Sequence, residues 1–317
     1  MIETFKKDID EGLSSSPKLL PSKYFYDEKG DDLFVKIMHC DEYYLTRAEL
    51  DIFKNQTQQI IENLQIDKNT YFELIELGAG DGLKTKELLK LLDKDNYQFD
   101  YLPVDISQNT LDNLENSVNN ELPNITIKTK QGDYFKVLES LKGTKTPKVV
   151  LFLGSNIGNM RDEIASQFIY NLGANLNEND KLFLGVDLIK SSDIVKPAYN
   201  DSKGFTRDFN LNLLARINKE LEADFNIDHF SHQPEYAESE GIAKSFIRSN
   251  IQQSVYIKKM DKTFHFEKGE KIATEISRKY NDQIIQNLIK DTSFSISAKL
   301  IDSKNYFSNY ILNRAGN

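Results

Sequence analysis

The stretch YFELIELGAGDGLK, residues 71–84, decides the fold. Its first eight residues read as a buried strand, and KTKELLKLL (84–92) beyond it has helical periodicity. Between them Gly78, Gly80 and Gly82 form a turn in which the backbone can bend sharply and approach a ligand with no Cβ in the way. The crevice outside the carboxyl ends of such strands is where open α/β sheets bind nucleotides. Two of the loop chemistries known there fail on spacing. A dinucleotide fingerprint needs glycine at position 83, and so does a phosphate-binding loop running from Gly78 to Lys84-Thr85, but the residue is Leu83.

Working outward, strand-like runs recur at FDYLPVDI (99–106), ITIKTKQG (125–132), KVVLFLG (148–154) and KLFLGVD (181–187). Helical segments separate them: residues 108–122, YFKVLESL (134–141) and residues 162–176. This alternation predicts βαβ units and a parallel sheet, with the nearly uniform KVVLFLG as its centre. It stops after residue 187. FNLNLLARINKELEADF (209–225) predicts a long helix, with strand-like pieces at 241–249, 254–260 and 262–269. The end reads as helix, strand, strand, an antiparallel pair closing the parallel sheet. Residues 1–47 read as helix and loop. The expected division is therefore an α/β domain from 48–187 plus 280–317, with 1–47 and 188–279 forming a second lobe.

Composition narrows the function. The 317 residues are 39% hydrophobic and 28% charged, enough for a real core. No apolar run approaches a membrane span, and MIETFKKDIDEGL has no secretory pattern. The net charge of −9 has the wrong sign for a general partner of nucleic acid or anionic membrane. One cysteine, Cys40, and four histidines without metal-ligand spacing argue against a disulfide framework or a metal site. The expectation is a cytoplasmic monomer acting on small molecules.

The acidic-x-G-x-G-x-G form from Glu76 to Gly82 resembles the first motif of class I S-adenosylmethionine-dependent methyltransferases. Asp105 ends the second strand in Pro103-Val104-Asp105, where a carboxylate can accept both ribose hydroxyls. Ser107 is the better helix N-cap there. Gly132-Asp133-Tyr134 follows the third strand. Asp133 can accept from an adenine amino group and Tyr134 can flank the base, although such turns are also common without a ligand.

Over nearly its whole length the chain is similar to the histidine Nα-methyltransferase family of ergothioneine biosynthesis. The matching segments include Lys23–Asp27, Glu42–Arg47, the Glu76–Lys84 loop, Pro103–Asp105, Leu153–Asn159, Gly185–Leu188, Ala198–Asp201, Phe209–Asn212 and Thr274–Ser277. The resemblance implies a class I (Rossmann-like) sheet with a second substrate-binding lobe built from the N-terminal segment and a late insertion. It also implies S-adenosyl-L-methionine as cofactor, an amino-acid acceptor, and methylation of the α-amino group of L-histidine, up to the trimethylated product hercynine. Gly78, Gly80, Lys84, Asp105, Asp133 and Tyr134 would hold the cofactor.

By the same resemblance, Asn159 and Tyr199 hold the acceptor's α-carboxylate, and Tyr26 lies near the transferable amine and the cofactor. Tyr26 and Asn159 are thus the residues that orient the amine. The loop after the fourth strand, with Gly154 and Asn159, offers backbone N–H groups and amides suited to a carboxylate. Glu275 and Ser277, two apart in TEIS, face one side of an extended segment and can pair with the two imidazole nitrogens. The family uses them so, with Tyr43 assisting. Two residues depart from the family pattern: Tyr24 stands where related chains carry tryptophan, and Ser245 where they carry methionine beside the ring pocket. The smaller, polar Ser245 leaves another amino acid or a histidine derivative open as acceptor. A phosphate-loop hydrolase and a non-catalytic binding protein are the remaining alternatives from other classes.

Overall fold

The computed structural model describes residues 2–132, 134–141 and 143–315, which divide into two compact units. One comprises residues 45–189 and 278–317, the other 1–44 and 190–277.

The first unit is built on an eight-stranded sheet. Its order is Phe294–Ile301, Phe307–Arg314, Lys181–Asp187, Lys148–Phe152, Phe72–Leu77, Phe99–Asp105 and Thr126–Ile127, with Lys130–Gln131 also pairing to Phe99–Asp105. The strands from Lys181–Asp187 to the last are parallel, and Phe307–Arg314 runs antiparallel to both of its neighbours. Every residue of Lys148–Phe152 is buried, as its apolar run requires of a strand covered on both faces. Ile75, Val104, Phe152 and Leu184 from the strands pack with Phe168, Ile169 and Leu172 of the helix Asp162–Ala174. The Phe152 and Phe168 rings stack at 4.8 Å. Each such side chain contributes about 1.5–3 kcal/mol by leaving water. No helix among the described residues is long and apolar enough to cross a membrane.

Residues 125–132 form two short pieces, Thr126–Ile127 and Lys130–Gln131, in place of the continuous strand expected. This edge segment exposes Thr126 and Gln131 and has little apolar surface to hold a longer ladder.

The second unit has a four-stranded sheet in the order Lys18–Leu19, Lys271–Arg278, Ile242–Ser249 and Phe230–Ala237, and a hairpin of Gln253–Ile257 with Lys262–Phe266. The helix Phe205–Leu221 runs through its core, where Phe209, Leu213, Leu214 and Ile217 meet Phe5, Ile9, Leu33, Ile37 and Ile247. It begins and ends four residues earlier than the periodicity suggested. Gly204 and Glu222, both left-handed, bound it. Asp27 caps the helix Glu28–Met38 through the N–H of Gly30 and also accepts from Asn212 Nδ2 at 2.8 Å, tying the two helices together.

The unit boundaries differ from those expected for local reasons. Leu45 opens the helix Leu45–Asn55, so Leu45, Thr46 and Arg47 go with the sheet unit. Leu188 and Ile189 donate to the carbonyls of Tyr306 and Tyr280 of that unit. Lys279 forms a wholly buried ion pair with Asp187 at 2.7 Å, which keeps residues 278–279 there too.

Candidate active site

In the sheet unit the glycine loop is shaped by two neighbours. Gly78 takes φ +73°, and its N–H donates to Val104 O at 2.8 Å. A Cβ on Gly78 would lie 2.7 Å from the Tyr134 hydroxyl and 3.0 Å from Asn156 Nδ2. Gly80, at φ +57°, has nothing within 4 Å of where its Cβ would point. The loop is therefore closed on one side by Tyr134 and Asn156 and open at Gly80.

Asp105 stands at the end of the next strand. Its Oδ2 accepts the Gly80 N–H at 3.4 Å and its Oδ1 the Ser107 N–H at 3.0 Å. A carboxylate has about four acceptor positions, so hydroxyls can be accepted as well. Ser107 caps the helix Gln108–Glu121 through the N–H of Thr110. Tyr134 opens the helix Tyr134–Leu141, its ring edge-on to Phe152 at 5.8 Å and Phe168 at 6.5 Å. Asp133 lies outside the described residues.

Two predicted residues meet a partner that motif reading missed. Lys84 Nζ pairs with Glu49 at 2.5 Å, and the Gly154 N–H donates to the same carboxylate at 2.8 Å. The Gly154 N–H is thus already engaged, a correction to the expectation that it faces an acceptor carboxylate. Asn159 is exposed at the end of the short turn Asn156–Asn159. Ser155 accepts from the Asp187 N–H at 3.0 Å and caps nothing. The only local hint of Glu49 is a charge on the apolar stripe of Ala48, Ile52 and Phe53.

Beneath the loop, Glu76 is wholly enclosed and accepts from Thr85 at 2.8 Å and from the Tyr101 hydroxyl. Burial pushes its carboxyl from the ordinary 4.5 up to about 7, against the hydrogen bonds from Tyr101 and Thr85. Between these two values the folded chain holds a proton that the unfolded chain has released, so stability falls as pH rises through the window and levels off above about 7. Glu76→Gln removes this term. Between pH 5 and 8 the wild type should lose roughly 2–3 kcal/mol more stability than the variant, measured by denaturant unfolding. Equal losses would contradict it.

In the second unit the acceptor candidates form three small groups. The Tyr199 hydroxyl donates to Ser277 Oγ at 2.7 Å, and His232 Nε2 donates to the Tyr199 carbonyl at 2.9 Å. Burial holds His232 below its ordinary value, in the neutral form, and the motif reading gave it no role. Ser245 Oγ lies 3.5 Å from Glu275 Oε2. The Ser245 backbone carbonyl and Asn210 Oδ1 both accept from Thr274, each at 2.9 Å, which fixes the strand before Glu275. The Tyr26 and Tyr43 rings stand edge-on to Phe34 at 5.7 and 6.3 Å. Glu275 and Ser277 share one face of the strand Lys271–Arg278.

A mostly parallel sheet with one reversed strand near its edge has counterparts among solved structures. The mitomycin 7-O-methyltransferase MmcR superposes at TM-score 0.51 and 9% identity, over 92% of this chain and 59% of that one. The fold is that of the class I S-adenosylmethionine-dependent methyltransferases.

The chain belongs to the histidine-specific, S-adenosylmethionine-dependent methyltransferase family, which it matches over residues 5–314. It is 34% identical over 281 residues to the histidine N-alpha-methyltransferase of Mycolicibacterium smegmatis, covering 89% of this chain and 86% of that protein. It is 28% identical over 304 residues to ergothioneine biosynthesis protein 1 of Schizosaccharomyces pombe, covering 93% of this chain but 39% of that longer protein.

Proposed function

We propose that this chain methylates the α-amino group of free L-histidine, adding up to three methyl groups from S-adenosylmethionine. The observation that carries the reading is the pair Glu275 and Ser277, a carboxylate and a hydroxyl on one strand face, with Ser277 held by the Tyr199 hydroxyl and Glu275 beside Ser245. Such a pair suits an imidazole, whose neutral ring has one donor and one acceptor nitrogen. The residues of the sheet unit fit the cofactor: Gly80 leaves open space for it, and Asp105 retains acceptor capacity toward a ribose.

When bound, the cofactor supplies an electrophilic methyl group on a sulfonium sulfur. The chain's residues bind and orient. Asp105 would accept the ribose hydroxyls, Asp133 the adenine amino group, and Tyr134 would flank the base. Lys84 would meet the carboxylate of the cofactor's amino-acid end. Asn159 holds the acceptor's α-carboxylate together with Tyr199, whose hydroxyl proton turns from Ser277 to the ligand; Tyr26 and Asn159 orient its amine, and Glu275, Ser277 and Tyr43 read the ring. Holding reactants in attack geometry can supply several kcal/mol of the barrier reduction without a covalent intermediate. The net charge of −9 favours a free small-molecule acceptor over nucleic acid, and our reading keeps the protein a cytoplasmic monomer.

Mass spectrometry of the products formed from S-adenosylmethionine and the twenty amino acids tests the reading. Mono-, di- and trimethylated histidine should dominate, and an absence of any histidine product would overturn it. Ser245 supports a second reading, in which another amino acid or a histidine derivative is the better acceptor; a different dominant product in the same assay would establish it.

Asp105→Ala should weaken S-adenosylhomocysteine binding by about tenfold to several hundredfold, since bonds to a charged acceptor contribute about 1.5–3 kcal/mol. Histidine binding should change far less. Calorimetry on the folded variant checks both, and an unchanged affinity for S-adenosylhomocysteine would remove the ribose assignment.

A further inference from the structure

Glu49 is wholly buried, and one carboxylate there gathers three separate parts of the sheet unit. Its Oε2 accepts from Lys84 Nζ at 2.5 Å and from the Gly154 N–H at 2.8 Å, and its Oε1 accepts from Asn309 Nδ2 at 3.0 Å. Lys84 directly follows the glycine loop, Gly154 follows the Lys148–Phe152 strand, and Asn309 lies on the reversed strand Phe307–Arg314. The packing is close: a Cβ on Gly185 would come within 2.1 Å of Oε1.

Stability alone gives little reason for this arrangement. A buried ion pair is commonly replaced by apolar groups of similar volume with no loss. What a charge provides here is balance for Lys84, whose side chain is 18% exposed while that of Glu49 is sealed from water. The argument rests on the reading above, in which Lys84 meets the cofactor's amino-acid end. An uncompensated ammonium would attract the carboxylate there and repel the positive sulfonium sulfur that the same ligand carries. The product of transfer, S-adenosylhomocysteine, differs by one methyl group and that one positive charge.

We infer that Glu49 is a positioning residue for the cofactor: it holds the Lys84 ammonium and the Gly154 turn in place, and neutralises Lys84 so that the sulfonium form is bound in preference to what an unpaired lysine would admit. Glu49 does this through Lys84 and Gly154 without itself touching ligand.

Glu49→Gln isolates the charge. The amide oxygen can still accept from Lys84 and Gly154. Its NH₂ can serve Asn309 Oδ1, a buried atom with no partner among the described residues, once the Asn309 amide turns over. A unit charge acting across ~10 Å at an effective dielectric near 20 changes binding by roughly tenfold or more. Calorimetry with S-adenosylmethionine and S-adenosylhomocysteine, on the full chain without acceptor, gives the ratio of the two dissociation constants. In Glu49→Gln that ratio should move about tenfold against S-adenosylmethionine. A general loosening of the fold would weaken both ligands together and leave the ratio still. Lys84→Gln leaves the carboxylate without its cation, so its ratio should move the opposite way while S-adenosylhomocysteine binds more weakly.

A folded Glu49→Gln variant with a ratio within threefold of wild type overturns the inference. If Glu49→Gln fails to fold, a Lys84→Gln ratio that stays still or moves against S-adenosylmethionine overturns it equally. Weaker S-adenosylhomocysteine in Lys84→Gln with an unmoved ratio rejects the role of Glu49 and keeps Lys84 at the cofactor. Unchanged affinities in Lys84→Gln reject Lys84 as a cofactor residue, and a wild type that binds neither ligand rejects the functional reading itself.

Discussion

Replacing Gly78 with alanine should reduce S-adenosylhomocysteine affinity by ~100-fold or more and bring methyl transfer to background. Two costs combine. The residue sits at φ +73°, where an L side chain costs about 1–2 kcal/mol. Its new methyl would stand 2.7 Å from the Tyr134 hydroxyl and 3.0 Å from Asn156 Nδ2, so both side chains must move. Tyr134 is held by its contacts with Phe152 and Phe168, which transmit the shift into the core instead of absorbing it. The ligand then meets a loop whose closed side has changed shape. Gly80→Ala is the control, because it carries the strain of φ +57° with nothing within 4 Å of the new atom. Its effect on the unliganded protein should be the smaller, and any loss of affinity would come from the methyl occupying open space. Calorimetry on both variants, with thermal unfolding beside it, decides the matter. Gly78→Ala binding within tenfold of wild type would show that the loop's closed side is not part of the cofactor site.

Glu275→Ala should act on the acceptor instead. A carboxylate accepting an imidazole N–H in a closed pocket contributes roughly 1.5–3 kcal/mol, so kcat/KM for histidine should fall tenfold to several hundredfold. The N–H left unpaired adds to the loss. Tryptophan and phenylalanine never make that bond, so their rates should change little and the gap between them and histidine should narrow. Ser245, 3.5 Å from the carboxylate, is too short to refill the space. The quantity to measure is the histidine-to-tryptophan ratio of kcat/KM, with S-adenosylhomocysteine binding as the control. A ratio unchanged within about threefold would mean that Glu275 does not read the ring.

The centre of the sheet was legible because its strands are almost wholly buried. Runs such as KVVLF (Lys148–Phe152) and FELIEL (Phe72–Leu77) leave few other readings, and the glycine turn marks where the first strand ends. The strand Phe230–Ala237 was not legible: only Phe230 and Tyr236 are buried, Pro234 interrupts it, and no alternation survives. The helix Leu45–Asn55 hid behind Glu49, since a carboxylate on an apolar stripe breaks the pattern that would announce the stripe. The same division holds for the site. Asp105 follows from its place at a strand end, but the partners of Lys84 and Gly154 come from residues 35 and 105 positions away. No local spacing encodes that meeting. Tyr199 and Ser277, 78 residues apart, are joined by a hydrogen bond that only the fold reveals.

The pairing of Lys18–Leu19 with Ile272–Ala273 places the first strand of its sheet roughly 250 residues ahead of its partner in the chain. During synthesis, at about 5–20 residues per second, the N-terminal segment therefore waits on the order of ten to fifty seconds before that ladder can close. Over this interval Phe5, Ile9, Leu13 and Leu33, all buried in the finished unit, have emerged while the helix and strands that cover them are still being made. The nascent chain carries an amphipathic helix with an uncovered apolar face for most of its time on the ribosome. Holdase chaperones bind such surfaces, and the yield of active protein should depend on them more steeply than a finished fold with so well buried a core would suggest.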